Sequence, residues 1–293
     1  MLQRVPASKR APLGRGWQDL RRRSIAVGQG LAIHGAAASA HEHQVVAGAV
    51  RAHQIRPRRI AVMGATGGVG TTTAAVLLAG VVSAARDDQT LLLTLHCDAS
   101  DGAARLSLRH APTITAVLDG LRRDGRIPPT PVTPGGVRVL AAPAPGAASP
   151  GSGLAALLDV AAAGHACVVV DTGVAGQLAD LPQLLELIDT VVLVCATTPA
   201  ALHATSSVFT RLHAHATTGP AAPRLLLLPV HTRPRGGGRG VDPVARLRPP
   251  AGAAHLLPHD GELARGRTID VSNLSGPALT AVLTLAADIM GHR

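Results

Sequence analysis

From residue 58 onward, short apolar runs alternate with longer stretches of helical spacing. The runs 59–63, 90–95, 137–141, 167–171, 190–196, 224–230 and 254–258 are dominated by consecutive Val, Leu, Ile and Ala. Strands apolar on both faces are covered on both faces, the mark of a parallel sheet flanked by helices. Helices are predicted near 71–86, 114–123, 153–163, 180–187, 199–215 and 276–290. This alternation predicts an α/β fold: a doubly wound, mainly parallel sheet of about seven or eight strands. Pro- and Gly-rich stretches at 127–136, 142–153 and 233–252 read as surface loops, and no internal repeat is visible.

Ahead of residue 58 this pattern is absent. Residues 1–15 mix Pro, Gly and basic side chains, a composition that cannot bury enough apolar surface to order itself. Residues 17–55 carry one or two short helices, the second near 39–53 polar and His-rich. The expected division is a basic, partly disordered N-terminal extension with short helices over 1–57, then one α/β domain over 58–293.

Charge follows the same division. The net charge is +10, yet residues 1–60 hold 11 of the 28 basic groups against only Asp19 and Glu42, a local balance of +9. The domain is therefore close to neutral. A basic arm can attract DNA, anionic lipid or an acidic protein, and it can equally be a solvated tail. Trp17 and Phe209 are the only aromatic side chains apart from His. That composition argues against stacking on single-stranded nucleic acid.

Cys97, Cys167 and Cys195 lie in or beside apolar runs with no CxxC spacing, so they read as small core residues. The 14 His are scattered; His203, His213 and His215 share a predicted helix but not one face, and no metal site is expected there. No uncharged apolar run is long enough to span a bilayer, and no apolar stretch follows the basic N-terminus as in a signal peptide. The C-terminal stretch 276–293 is apolar with few basic residues and lacks the character of a membrane-surface helix.

The most informative segment is 59–74, RIAVMGATGGVGTTTA, an apolar strand leading through a Gly-rich turn into a Thr-rich helix start. Glycines let successive backbone N–H groups converge on an anion, and the helix N-terminus adds its positive end. The spacing from Gly64 to Gly70 fits the phosphate-loop pattern GxxxxGK[ST], with Thr71 in the Lys position and Thr72 in the Ser/Thr position. The chain has 27 Arg and only Lys9, but a coding bias against Lys would have left Arg, not Thr.

The run Gly67-Gly68-Val69-Gly70-Thr71-Thr72-Thr73 resembles the KGGVGKTT signature of the MinD/ParA group of P-loop ATPases, with Thr66 and Thr71 replacing both lysines. Cys167 to Gly173 resembles a Walker B strand ending in Asp171. The segment from Leu95 to Asp98 occupies the place of the family's paired acids, with His96 for the first and Asp98 for the second. Thr197, Thr198 and Pro199 match the family's Pro-containing turn. His231 stands near where many relatives place a base-reading Asn. The stretch from Pro258 to Gly266 resembles a subgroup that accompanies actinobacterial type VII secretion.

The resemblance implies a P-loop NTPase fold with ATP and magnesium as cofactors. Gly67, Gly68, Val69, Gly70, Thr71, Thr72 and Thr73 would form the nucleotide site. Thr72 and Asp171 would hold the metal. Asp98 would orient the attacking water, or else cap the helix that follows. It also implies a cytoplasmic homodimer, peripheral at the membrane through protein partners of a secretion or division apparatus. Three functions stay open: a weak ATP-dependent switch, a pseudo-ATPase scaffold that binds no nucleotide, and a DNA-partition ATPase supported only by the basic arm. With both lysines replaced, ATPase activity does not follow from the resemblance.

Overall fold

The computed structural model describes residues 46, 48, 50, 51, 56–86, 89–96, 102–108, 110–125, 130–142, 153–178, 181–218, 222–234, 242–250, 252–269 and 273–291. Strands β1 (Arg58–Gly64), β2 (Thr90–Thr94), β3 (Val137–Leu140), β4 (Cys167–Val174), β5 (Thr190–Ala196) and β6 (Arg224–Val230) form one sheet in the order β3-β2-β4-β1-β5-β6. Every neighbouring pair is parallel. The helices are α1 (Thr71–Arg86), α2 (Gly102–Arg105), α3 (Ile114–Asp124), α4 (Gly153–Gly164), α5 (Leu181–Glu186), α6 (Pro199–Thr218), α7 (Pro243–Leu247), α8 (Gly261–Ala264) and α9 (Gly276–Gly291).

The alternating side chains of β1 explain why the strands read as apolar throughout. Ile60 and Val62 join one core with α1 and α9, while Ala61 and Met63 join a second with α3 and α4. Both faces are dry, so each strand position favours an apolar residue. Helix α1 lies against the sheet with α9 packed on it, and 13 of its 16 residues are buried. Its Ala-rich composition keeps it slim enough to sit between two layers. Val50, ahead of β1, is fully buried in the same core, and its carbonyl accepts from Arg86 Nη1 at 2.9 Å. The end of the basic extension is thus packed on α1; the rest of the predicted helices at 17–55 and the segment 1–15 lie outside the described residues.

Burial in these strands also sets the chemistry of two thiols. Cys167 and Cys195 are free and buried, and loss of solvation pushes each thiol up to about 12. They are inert core groups rather than nucleophiles.

The expected strand at 254–258 does not form. This segment runs parallel to β6 but makes only isolated bridges, Leu227 with Ala254 and Val230 with Leu257. Leu227 N–H donates to Ala253 O, His255 N–H to Leu227 O, Leu257 N–H to Pro229 O and His231 N–H to Leu257 O. A regular parallel ladder would add a bond from the N–H of residue 229 to His255 O. Pro229 has no N–H, so the ladder is split there. Among the described residues the sheet therefore has six strands rather than the expected seven or eight.

Candidate functional site

At the C-terminal edge of β1 the chain turns through residues 65–70 into α1. Ala65 N–H donates to Val194 O of β5 at 3.1 Å, which fixes the entry to the loop. Gly68 and Gly70 have φ of 73° and 94°, a region where a side chain costs roughly 1–2 kcal/mol. A Cβ on Gly64 would overlap the Thr71 hydroxyl and lie 3.1 Å from Thr66 O, so the loop closes tightly over its base. Val69 is buried and anchors the loop, while Gly67 and Gly68 are exposed. Helix α1 begins with Ala74 N–H donating to Gly70 O at 2.9 Å. The first N–H groups of a helix have no partner within it and suit an anion.

The side chains over this backbone are small. Thr71 and Thr73 are buried and Thr72 is partly exposed. The Thr71 hydroxyl folds back toward Gly64 and does not reach outward as a Lys would. The loop thus offers a backbone cradle without either signature lysine.

The Walker B-like strand lies beside it. In β4, Asp171 pairs with Val62 but Val174 pairs with Gly64, so an extra residue bulges from β4 between them. Gly173 occupies the bulge with φ of 66°. Bulges re-aim side chains next to functional sites. Here the Thr172 hydroxyl donates to Val62 O at 3.2 Å, and Gly173 N–H donates to Asp171 Oδ1 at 3.2 Å. Asp171 is fully buried, so its second oxygen also needs a donor.

That donor comes from the third strand edge. Leu95 N–H bonds to Asp171 O at 2.8 Å, carrying the β2–β4 pairing one residue past β2 and bringing His96 over the site. His96 Nε2 lies 2.9 Å from Asp171 Oδ2 and 3.2 Å from Thr72 Oγ1. A carboxylate only accepts, so Nε2 carries the hydrogen and is shared between the two oxygens. The imidazole rests on Gly173, where a Cβ would lie 2.9–3.0 Å from its Cγ, Cβ and Cδ2 atoms. Sequence reading placed His96 in an acid's position; it could not place the ring between Thr72 and Asp171.

The structure thus brings Gly67, Gly68, Val69, Gly70, Thr71, Thr72, Thr73 and Asp171 to one sheet edge. Asp98 lies outside the described residues. Arg58 and Arg59 sit at the opposite end of β1, where Arg59 Nη2 pairs with Asp159 at 2.7 Å; they cannot replace the missing lysines. Asp260, within the stretch from Pro258 to Gly266, caps α8 through Glu262 and Leu263 N–H and accepts from Ser275 N–H at 2.8 Å. Burial pushes its carboxyl up, but the hydrogen bonds from Ser275, Leu263 and Glu262 outweigh it and hold the group below its ordinary value. Its visible role is to tie the turn before α9. His231 is half-buried and bonded through its backbone to Leu257.

Magnesium requires near-octahedral oxygen ligands at about 2.0–2.1 Å. The Thr72 and Asp171 oxygens instead face a nitrogen that carries hydrogen and has no lone pair to give a metal. As folded, this donor set does not fit magnesium. The glycine cradle does fit a phosphate group.

The all-parallel six-stranded sheet with flanking helices is the fold of the ParA and MinD ATPases. A ParA family ATPase from Chlorobium tepidum TLS superposes with a TM-score of 0.61 at 16% identity, over 78% of this chain and 98% of that one. The MinD cell division protein of Aquifex aeolicus gives 0.60 at 19%, over 80% and 98%. An ATP complex of Cyanothece McdA gives 0.57 at 13%, over 81% and 98%. No family model matches the chain, and no curated protein matches it significantly. At these identities the likeness is one of fold. No helix among the described residues is long and apolar enough to cross a membrane.

Proposed function

We propose that this chain is a nucleotide-binding regulator of the MinD/ParA type, which acts on protein partners and hydrolyses ATP weakly or not at all. One observation carries the reading: the anion cradle of Gly64, Gly68 and Gly70 is kept while both lysine positions are Thr66 and Thr71. Phosphoryl transfer depends on positioning and on neutralising charge at the terminal phosphate. A loop without its cations retains the first capacity and loses most of the second. Division or partition machinery is the setting that the fold favours, and the Aquifex MinD relative is known in a complex with MinC. A role in type VII secretion rests on the stretch from Pro258 to Gly266 alone. A scaffold that binds no nucleotide is the second reading, favoured by the same two threonines.

The test is thermal stability of the whole chain with ATP, ADP and GTP, followed by phosphate release. A ligand at about 100 times its dissociation constant adds roughly 2.7 kcal/mol to the native state. ATP or ADP should stabilise the chain, and Gly64→Val should abolish the effect by filling the loop. Phosphate release should stay at background. No stabilisation by any nucleotide would replace this reading with the scaffold.

A further inference from the structure

We propose that His96 takes the place of the divalent cation in this fold, so that the phosphate loop binds its anion without magnesium. The inference rests on the reading of the loop as a phosphate site and adds how that site is completed. The two oxygens expected to face the metal, Thr72 Oγ1 and Asp171 Oδ2, converge on the single atom His96 Nε2, at 3.2 and 2.9 Å. They come from different elements, α1 and β4, which the imidazole therefore joins. The ring is not a loosely placed surface group: its side chain is 13% exposed against a fully buried Asp171.

A dedicated slot receives it. Gly173 stands at φ of 66° inside the β4 bulge, and any Cβ there would press on the root of the His96 side chain rather than on its mobile end. The main chain next to His96 is fixed as well, since Leu95 N–H donates to Asp171 O at 2.8 Å. Three features of different origin thus agree: the pairing of β2 with β4, the glycine bulge and the bridged oxygens. They set the Thr72 hydroxyl and the Asp171 carboxylate in fixed positions by a hydrogen bond. The remaining anion contacts are those of the loop backbone, which need no metal.

The test combines two measurements on the full chain. ADP affinity is measured by calorimetry with magnesium and with a chelator. The imidazole resonances are followed separately by NMR during titration with manganese, a paramagnetic probe of the same coordination preference; His96→Asn assigns the His96 signal. Equal ADP affinities within about twofold and a His96 signal that manganese leaves sharp are expected. His96→Asp removes the N–H and sets two carboxylates together, so its ADP binding should become dependent on magnesium by about tenfold or more. Magnesium-dependent binding by the unaltered chain would overturn the inference and leave the proposed function standing. If ADP binds under neither condition, the proposed function fails. The inference, which rests on that binding, then falls with it; where ADP does bind, broadening of the His96 signal by manganese overturns the inference alone.

Discussion

Gly173 and Gly68 offer a controlled comparison. Both have left-handed φ, 66° and 73°. An alanine at either therefore carries the backbone penalty of roughly 1–2 kcal/mol. Around Gly68 nothing lies within 4 Å of an added Cβ, whereas at Gly173 the Cβ meets His96 Cγ, Cβ and Cδ2 at 2.9–3.0 Å. Forcing a methyl into packed surroundings costs about 1–3 kcal/mol more. Gly68→Ala should thus lower stability by about 1–2 kcal/mol and Gly173→Ala by about 2–5 kcal/mol. Denaturant unfolding at constant pH measures both, with midpoint and slope examined together. A double-mutant cycle isolates the contact: in a His96→Gly background, which removes Cβ, Cγ and Cδ2 together, the extra cost of Gly173→Ala should disappear and only the backbone term remain. Equal losses for the two alanines in the unaltered chain would refute the seating of the ring on Gly173. So would an excess that survives removal of His96.

Two further outcomes follow from groups away from the site. His165 donates through Nδ1–H to Ala161 O at 2.8 Å, and its buried Nε2 has no hydrogen-bond partner among the described residues. Burial, opposed by the Ala161 bond and reinforced by Arg138, holds the ring below its ordinary value, so the unfolded chain takes the proton first. Stability should be intact above about pH 6.5 and decline as pH falls from there toward the depressed folded value. His165→Gln should flatten that decline in pH-dependent unfolding, and an unchanged slope would contradict the assignment. Pro229→Val should supply the missing N–H toward His255 O, and hydrogen exchange should find the new amide protected. Rapid exchange at that amide would mean that the proline is not what splits the ladder. Net stability should change little, because the bond gained is worth about 0.5–1.5 kcal/mol and loss of proline frees the unfolded chain by a similar amount.

What could be read along the chain was what lies contiguous in it. The alternation of apolar runs and helical stretches fixed the parallel α/β class, because each strand of such a sheet must be apolar on both faces. The glycine turn was legible for the same reason: Gly64 to Thr73 is one uninterrupted stretch whose spacing alone prescribes a tight turn into a helix. Elements that depend on a neighbour were not. Residues 254–258 have the composition of a strand, yet their ladder is broken by a proline in β6, a residue whose effect appears only once the two segments lie side by side. The site divides in the same way. Thr72, His96 and Asp171 could each be picked out, but 75 residues separate His96 from Asp171. Only the pairing of Thr94 with Asp171 and the bulge at Gly173 bring the imidazole onto the carboxylate. A hydrogen bond reaches about 3 Å and is indifferent to sequence distance, so contacts of this kind are decided by the register of the sheet.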